Sequence, residues 1–147
     1  MSQDHIDLDT SVGYLLKEAS SALRSAMEGV LRPLGMTITH YSCLELLAQR
    51  PGLSNSDLAR GAFVTRQSMN VLLQALEEDG LVSRPAEAPV GRALPVKLTP
   101  AGRAQLHTAS AAVKSVENRM LAELSADERA QVGRLLRTIT TSLTAQS

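Results

Sequence analysis

Three carboxamides, Gln67, Asn70 and Gln74, follow one another at spacings of three and four residues, with Thr65, Arg66 and Ser68 at the head of the run. A carboxamide carries a donor and an acceptor side by side, the pair that bonds the N6 and N7 edge of adenine, and an arginine reaches a guanine or a phosphate. At about 100° per residue, Met69, Leu72, Leu73 and Leu76 form one apolar stripe. Gln67, Val71 and Gln74 then point the opposite way, with Asn70 on one flank and Ser68 and Ala75 on the other. The plain alternative is an amphipathic helix whose outer face is merely solvated. The neighbouring segments decide between these readings.

The stretch before this helix reads SNSDLARG from Ser54. Ser54 with Asp57 three residues on is a capping-box start, with Asp in place of Glu or Gln, and predicts a short helix through Leu58 and Ala59 that Gly61 breaks. Thr65 is the next N-cap, and Gly80 ends the second helix as its C′ residue. Two short helices joined by a tight turn, the second presenting a polar face near its N-terminus, match the docking geometry of a recognition helix. Next come Leu81–Arg84, the loop PAEAPVGR and the run Ala93–Leu98, a β-hairpin signal in which Pro95 must sit at an edge or bulge. Arg84 and Arg92 at the two ends of that loop suit a wing whose tip lies along the minor groove, the alternative being a solvated surface hairpin. The DNA-contacting candidates are therefore Ser54, Asn55, Thr65, Arg66, Gln67, Ser68, Asn70, Gln74, Arg84 and Arg92.

Composition narrows the classes. The chain has 147 residues, one domain's length, with 15 basic against 15 acidic side chains, so overall charge offers no support for nucleic-acid binding. Three of the acids, Glu77, Glu78 and Asp79, lie at the far end of the recognition helix, which leaves its N-terminal end free to be basic. Tyr14, Tyr41 and Phe63 are the only aromatic residues, too few to stack single-stranded bases. The single cysteine, Cys43, cannot pair within the chain and fits a reducing cytoplasm. It lies beside Leu44 at a core-type position, where a structural role is expected. The acidic N-terminus lacks a signal peptide's basic start, and no apolar run approaches the roughly 18 residues of a membrane span. His5, His40 and His107 fall on separate elements without metal-ligand spacing, and no Gly-rich phosphate loop occurs, so neither an enzyme nor a cofactor is expected.

Long helices flank the central unit. One begins at Thr10 and keeps an apolar face from Val12 to Leu34 before Pro33 and Gly35 end it. A second starts at Thr37, with a core stripe of Tyr41, Leu44, Leu47 and Ala48. Thr99-Pro100 opens a third, with Thr as N-cap and Pro at the first helical position. Ser125 to Glu128 is the capping box of the last, whose stripe is Val132, Leu135, Leu136, Ile139 and Leu143. These stripes exceed what a small central unit can cover, which predicts a two-fold homodimer. The expected fold is mainly α with a small β-hairpin wing: one domain over 1–147, with a winged helix-turn-helix over 37–99 and helical dimerisation parts over 10–35 and 100–146. A ligand cleft is expected between the first, second and fifth helices, where Tyr14, His40 and Tyr41 could supply polar groups. For His40 a capping or core role is the competing reading.

Arranged this way, the chain resembles the multiple-antibiotic-resistance regulator (MarR) family of bacterial winged helix-turn-helix transcription factors. The resemblance covers nearly the whole chain and rests most specifically on VTRQSM at 64–69, LLQALEEDGLVSR at 72–84 and LTPAGR at 98–103. It implies a homodimer that sets two recognition helices on a near-palindromic duplex operator. It further implies a repressor released by a small, often phenolic ligand or by an oxidant. Two departures stand out: Val90 replaces the acid that usually precedes the wing arginine, and Val71 and Ala75 occupy positions where relatives often carry arginine. The competing functions are a winged-helix protein-interaction module without DNA binding, and a thiol-based oxidant sensor working through Cys43.

Overall fold

Hydroxyl side chains set the helix starts. The computed structural model describes residues 4–84 and 96–145. Among these the α-helices are α1 (Val12–Leu31), α2 (Ile38–Gln49), α3 (Asn55–Gly61), α4 (Arg66–Glu78), α5 (Pro100–Met120) and α6 (Ala126–Thr144), and a 3-10 turn at Arg32–Leu34 follows α1. Ser11, Thr37, Ser54, Thr65, Thr99 and Ser125 each accept the backbone N–H three residues on. Each satisfies a donor that the helix itself cannot, and replacing such a cap by Ala typically costs about 1 kcal/mol. The first helix, expected from Thr10, begins at Val12 with Ser11 as its cap, and the Thr10 N–H bonds the Asp7 carbonyl in the preceding turn. Ser54 with Asp57 and Ser125 with Glu128 form full capping boxes.

The turn between α3 and α4 differs from the expectation. Gly61 does not break the helix; it is the last residue of α3. A Cβ there would stand 2.9 Å from the Leu46 side chain, so this glycine lets α3 approach α2. Helix termination falls to Phe63, which takes the left-handed conformation at φ 60°. The Phe63 N–H bonds the Arg60 carbonyl at 3.2 Å and the Val64 N–H bonds Ala59 at 3.0 Å, the paired bonds of a Schellman end with an aromatic residue in the place glycine usually takes. Gly80, at φ 75°, ends α4 in the same way and as expected.

Strand β1 (Val82–Ser83) pairs antiparallel with β2 (Lys97–Leu98), Val82 opposite Leu98. The pairing is shorter than the runs Leu81–Arg84 and Ala93–Leu98. The proposed wing tip, with Glu87, Val90 and Arg92, lies outside the described residues.

One core unites the centre of the chain. Cys43 and Leu44 of α2, Leu58 of α3, Met69, Leu73 and Leu76 of α4, Val82, Leu98, and Leu106 and Ala109 of α5 pack into a single cluster. α1 lies against α5 and α2. Here α6 differs: none of its residues is buried. Val12 is 64% exposed, Leu135 49% and Leu143 77%, so the row of α6 and the N-terminal part of the α1 row face outward, while Leu31 at the end of α1 is buried in the core with Met27 and Val30 packed against it. No helix among the described residues is long and apolar enough to cross a membrane.

Candidate nucleic-acid interface

The apolar stripe of α4 anchors its polar face. Met69, Leu73 and Leu76 are buried, and Leu72 packs at the cluster's margin. A residue anchored on one side has little freedom on the other, so Gln67, Val71 and Gln74 are held outward, and all three are exposed.

The N-terminal half of this face is tied to α3. Arg66 Nη1 donates to Ser56 Oγ at 3.3 Å, and Asn55 Nδ2 donates to Asn70 Oδ1. Thr65 Oγ1 accepts from the Ser68 N–H at 3.0 Å and donates to Ser68 Oγ at 2.9 Å. Ser54 caps α3 beside them, and its hydrogen bonds hold the Asp57 carboxyl below its ordinary range. Asp57 also pairs with Arg60. The structure thus brings Ser54, Asn55, Thr65, Arg66, Ser68 and Asn70 onto one surface, with Gln67 and Gln74 extending it along α4. Ser56 joins it although nothing singled it out in the sequence beyond its place in the first turn of α3.

One consequence concerns Asn70. Reading adenine through a carboxamide uses the oxygen and the nitrogen together. Asn70 Oδ1 spends one of its two acceptor positions on Asn55, which leaves the second and the Nδ2 hydrogens for a base edge. Arg84 stands apart, its Nε buried and without a hydrogen-bond partner among the described residues.

The ligand candidates do not share one cavity. His40 Nε2 and Gln105 Oε1 of α5 lie 3.1 Å apart, and burial lowers the histidine's pKa. Tyr41 Oη donates to Glu45 Oε2 at 2.5 Å, and Ser110 of α5 donates to the same oxygen at 2.9 Å. Burial alone would raise the Glu45 pKa, but the bonds from Tyr41, Gln49 and Ser110 together outweigh it and hold the carboxyl below its usual value. Burial and the Glu45 carboxylate push the Tyr41 phenol upward. Tyr41, Glu45, His107, Ser110 and Lys114 line a cavity of about 450 Å³ between α2 and α5, and neither Tyr14 nor His40 lines it. Tyr14 sits exposed on α1. Glu45 went unmarked in the sequence, although Tyr41, Glu45 and Gln49 stand four residues apart on one helix face.

Cys43 is fully buried, and burial pushes its thiol up to about 12. A peroxide-sensing cysteine needs an accessible thiolate, so this environment counts against thiol chemistry.

A capped helix pair, the second helix bearing an outward polar face and followed by an antiparallel strand pair, defines a winged helix-turn-helix, the architecture of a large class of transcription regulators. The sequence model of the MarR family matches residues 34–93. Over 128 residues the chain is 44% identical to the HTH-type transcriptional repressor Rv2887 of Mycobacterium tuberculosis, covering 87% of this chain and 92% of that protein. The chain belongs to the MarR family. The crystal structure of Rv2887 in complex with DNA is similar with a TM-score of 0.73 at 40% identity, covering 89% of this chain and 98% of that one. Its complex with salicylic acid is similar at a TM-score of 0.73 and 43% identity, over 89% of this chain and 97% of that one.

Proposed function

We propose that this chain is a cytoplasmic, homodimeric transcriptional repressor, not an enzyme, that reads duplex DNA through α4 and releases it when a small aromatic ligand binds. The observation that carries the reading is the polar face of α4, presented outward by a buried stripe and bridged to α3 at Asn55–Asn70 and Ser56–Arg66. In this reading Thr65, Arg66 and Ser68 meet phosphates at the positive end of α4, and Gln67 and Gln74 read base edges. Asn70 offers a base edge its Nδ2 hydrogens and its second acceptor position. Arg92 is proposed from sequence alone as a wing contact. The similarity to Rv2887, whose structures include complexes with DNA and with salicylic acid, supports both halves of the reading. The ligand's place is the cleft between α2 and α5, where the Tyr41 ring offers an apolar wall and Lys114 a cation.

The zero net charge and the apolar residues at 71 and 75 favour a second reading, a protein-interaction module without DNA binding. Duplex binding measured by fluorescence anisotropy between roughly 50 and 200 mM salt separates the two. Several phosphate contacts make affinity fall steeply over that range. Binding that is absent or indifferent to salt supports the interaction module. In the same assay salicylate should weaken duplex binding and raise the melting temperature of the free protein.

A further inference from the structure

Val71 sits at the middle of the outward face of α4 and is 66% exposed. One exposed valine is ordinary on a protein surface. This one is placed among groups of a single chemistry, with Gln67 four residues before it and Gln74 three after it, both exposed. A β-branched residue is a poorer helix former than alanine, and at this position it recovers nothing by burial.

The major groove supplies an apolar partner. Of the base-pair edges there, thymine alone carries a methyl group, and it lies in the same pair as the adenine edge a carboxamide reads. Side chains four apart on a helix lie about 5–6 Å from each other, and successive bases about 3.4 Å. Gln67 and Val71 therefore stand over positions one to two base steps apart. We infer that Val71 is a specificity residue that packs on a thymine C5-methyl beside the adenine read by a flanking glutamine, making each half-site's centre an A·T step. This rests on the proposed reading of α4 as a DNA-reading helix.

The test first selects duplexes from a randomised library with the full-length chain, then replaces each consensus thymine by deoxyuridine, which lacks only the methyl. Wild type should lose about fourfold in affinity at one symmetry-related position per half-site, the worth of one buried methyl-sized group. Val71→Ala should bind the thymine and uracil duplexes equally. Because residue 71 is exposed and alanine favours helix, the variant should melt no lower than wild type, so a lost distinction cannot be ascribed to unfolding. A wild type indifferent to every replacement overturns the inference while leaving DNA binding intact. The same loss in wild type and Val71→Ala also overturns it, since another residue then reads the methyl. Failure to enrich any duplex overturns the DNA-binding reading itself, and this inference with it.

Discussion

Gly102 shows how one missing side chain holds the DNA-reading unit against α5. The Thr99 hydroxyl donates to the Gly80 carbonyl at 2.6 Å, and the Thr99 N–H bonds Leu81 at 3.1 Å, so the start of α5 docks on the turn that ends α4. A Cβ at 102 would lie 2.1 Å from the Leu81 carbonyl oxygen, which is backbone and cannot rotate away. The glycine of LTPAGR is therefore there for close approach. Gly102→Ala should destabilise the protein by about 1–3 kcal/mol, the usual cost of overpacking, seen as a lower urea midpoint. An unchanged midpoint would mean that this turn yields freely.

Helices α2 and α5 are joined by two polar contacts, His40 with Gln105 and Ser110 with Glu45. Burial lowers the His40 pKa, opposed by its bond to Gln105 and more weakly by Asp79. In the unfolded chain a histidine titrates near ~6.5. Between the lowered folded value and ~6.5 the unfolded chain binds more protons, so stability rises with pH and is complete above that window. Acidification from about pH 7.5 to 5.5 should thus cost wild type more stability than His40→Gln, compared by urea midpoints. Parallel curves would assign the loss to another group. Glu45, whose folded pKa is lowered, contributes stability present above ~4.3 and lost only as pH falls further, so it does not blur the comparison.

The outward apolar rows, Val12, Leu15 and Leu16 on α1 and Val132, Leu135, Leu136 and Leu143 on α6, make the DNA-binding reading depend on a second copy of the chain. A two-fold dimer would set its recognition helices about 34–36 Å apart, one turn of the duplex, and call for a near-palindrome. Deleting residues 126–147 removes no DNA-facing residue. It should nevertheless abolish the dimer in sedimentation and sharply weaken binding to the selected duplex, because each half-site contact then loses its linked partner. A stable monomer of unchanged affinity would remove the homodimer from the proposed function.

The chain's elements were written in local chemistry. Hydroxyl caps at Thr37, Ser54, Thr65, Thr99 and Ser125, the left-handed Gly80 and the stripe Met69, Leu72, Leu73 and Leu76 act within a turn or two of sequence, so they are legible from neighbours alone. The outward set Gln67, Val71 and Gln74 follows from the same periodicity. Contacts between elements obey no such rule. That Phe63 ends α3 while Gly61 makes room for Leu46, that Asn55 takes one acceptor position of Asn70, and that Ser110 reaches Glu45 while His40 turns to Gln105 depend on how α2, α3, α4 and α5 pack. Local propensities specify where helices begin and which way they face. Only the packed core sets the distances between side chains that lie far apart along the chain, and hydrogen bonds form or fail on tenths of an ångström.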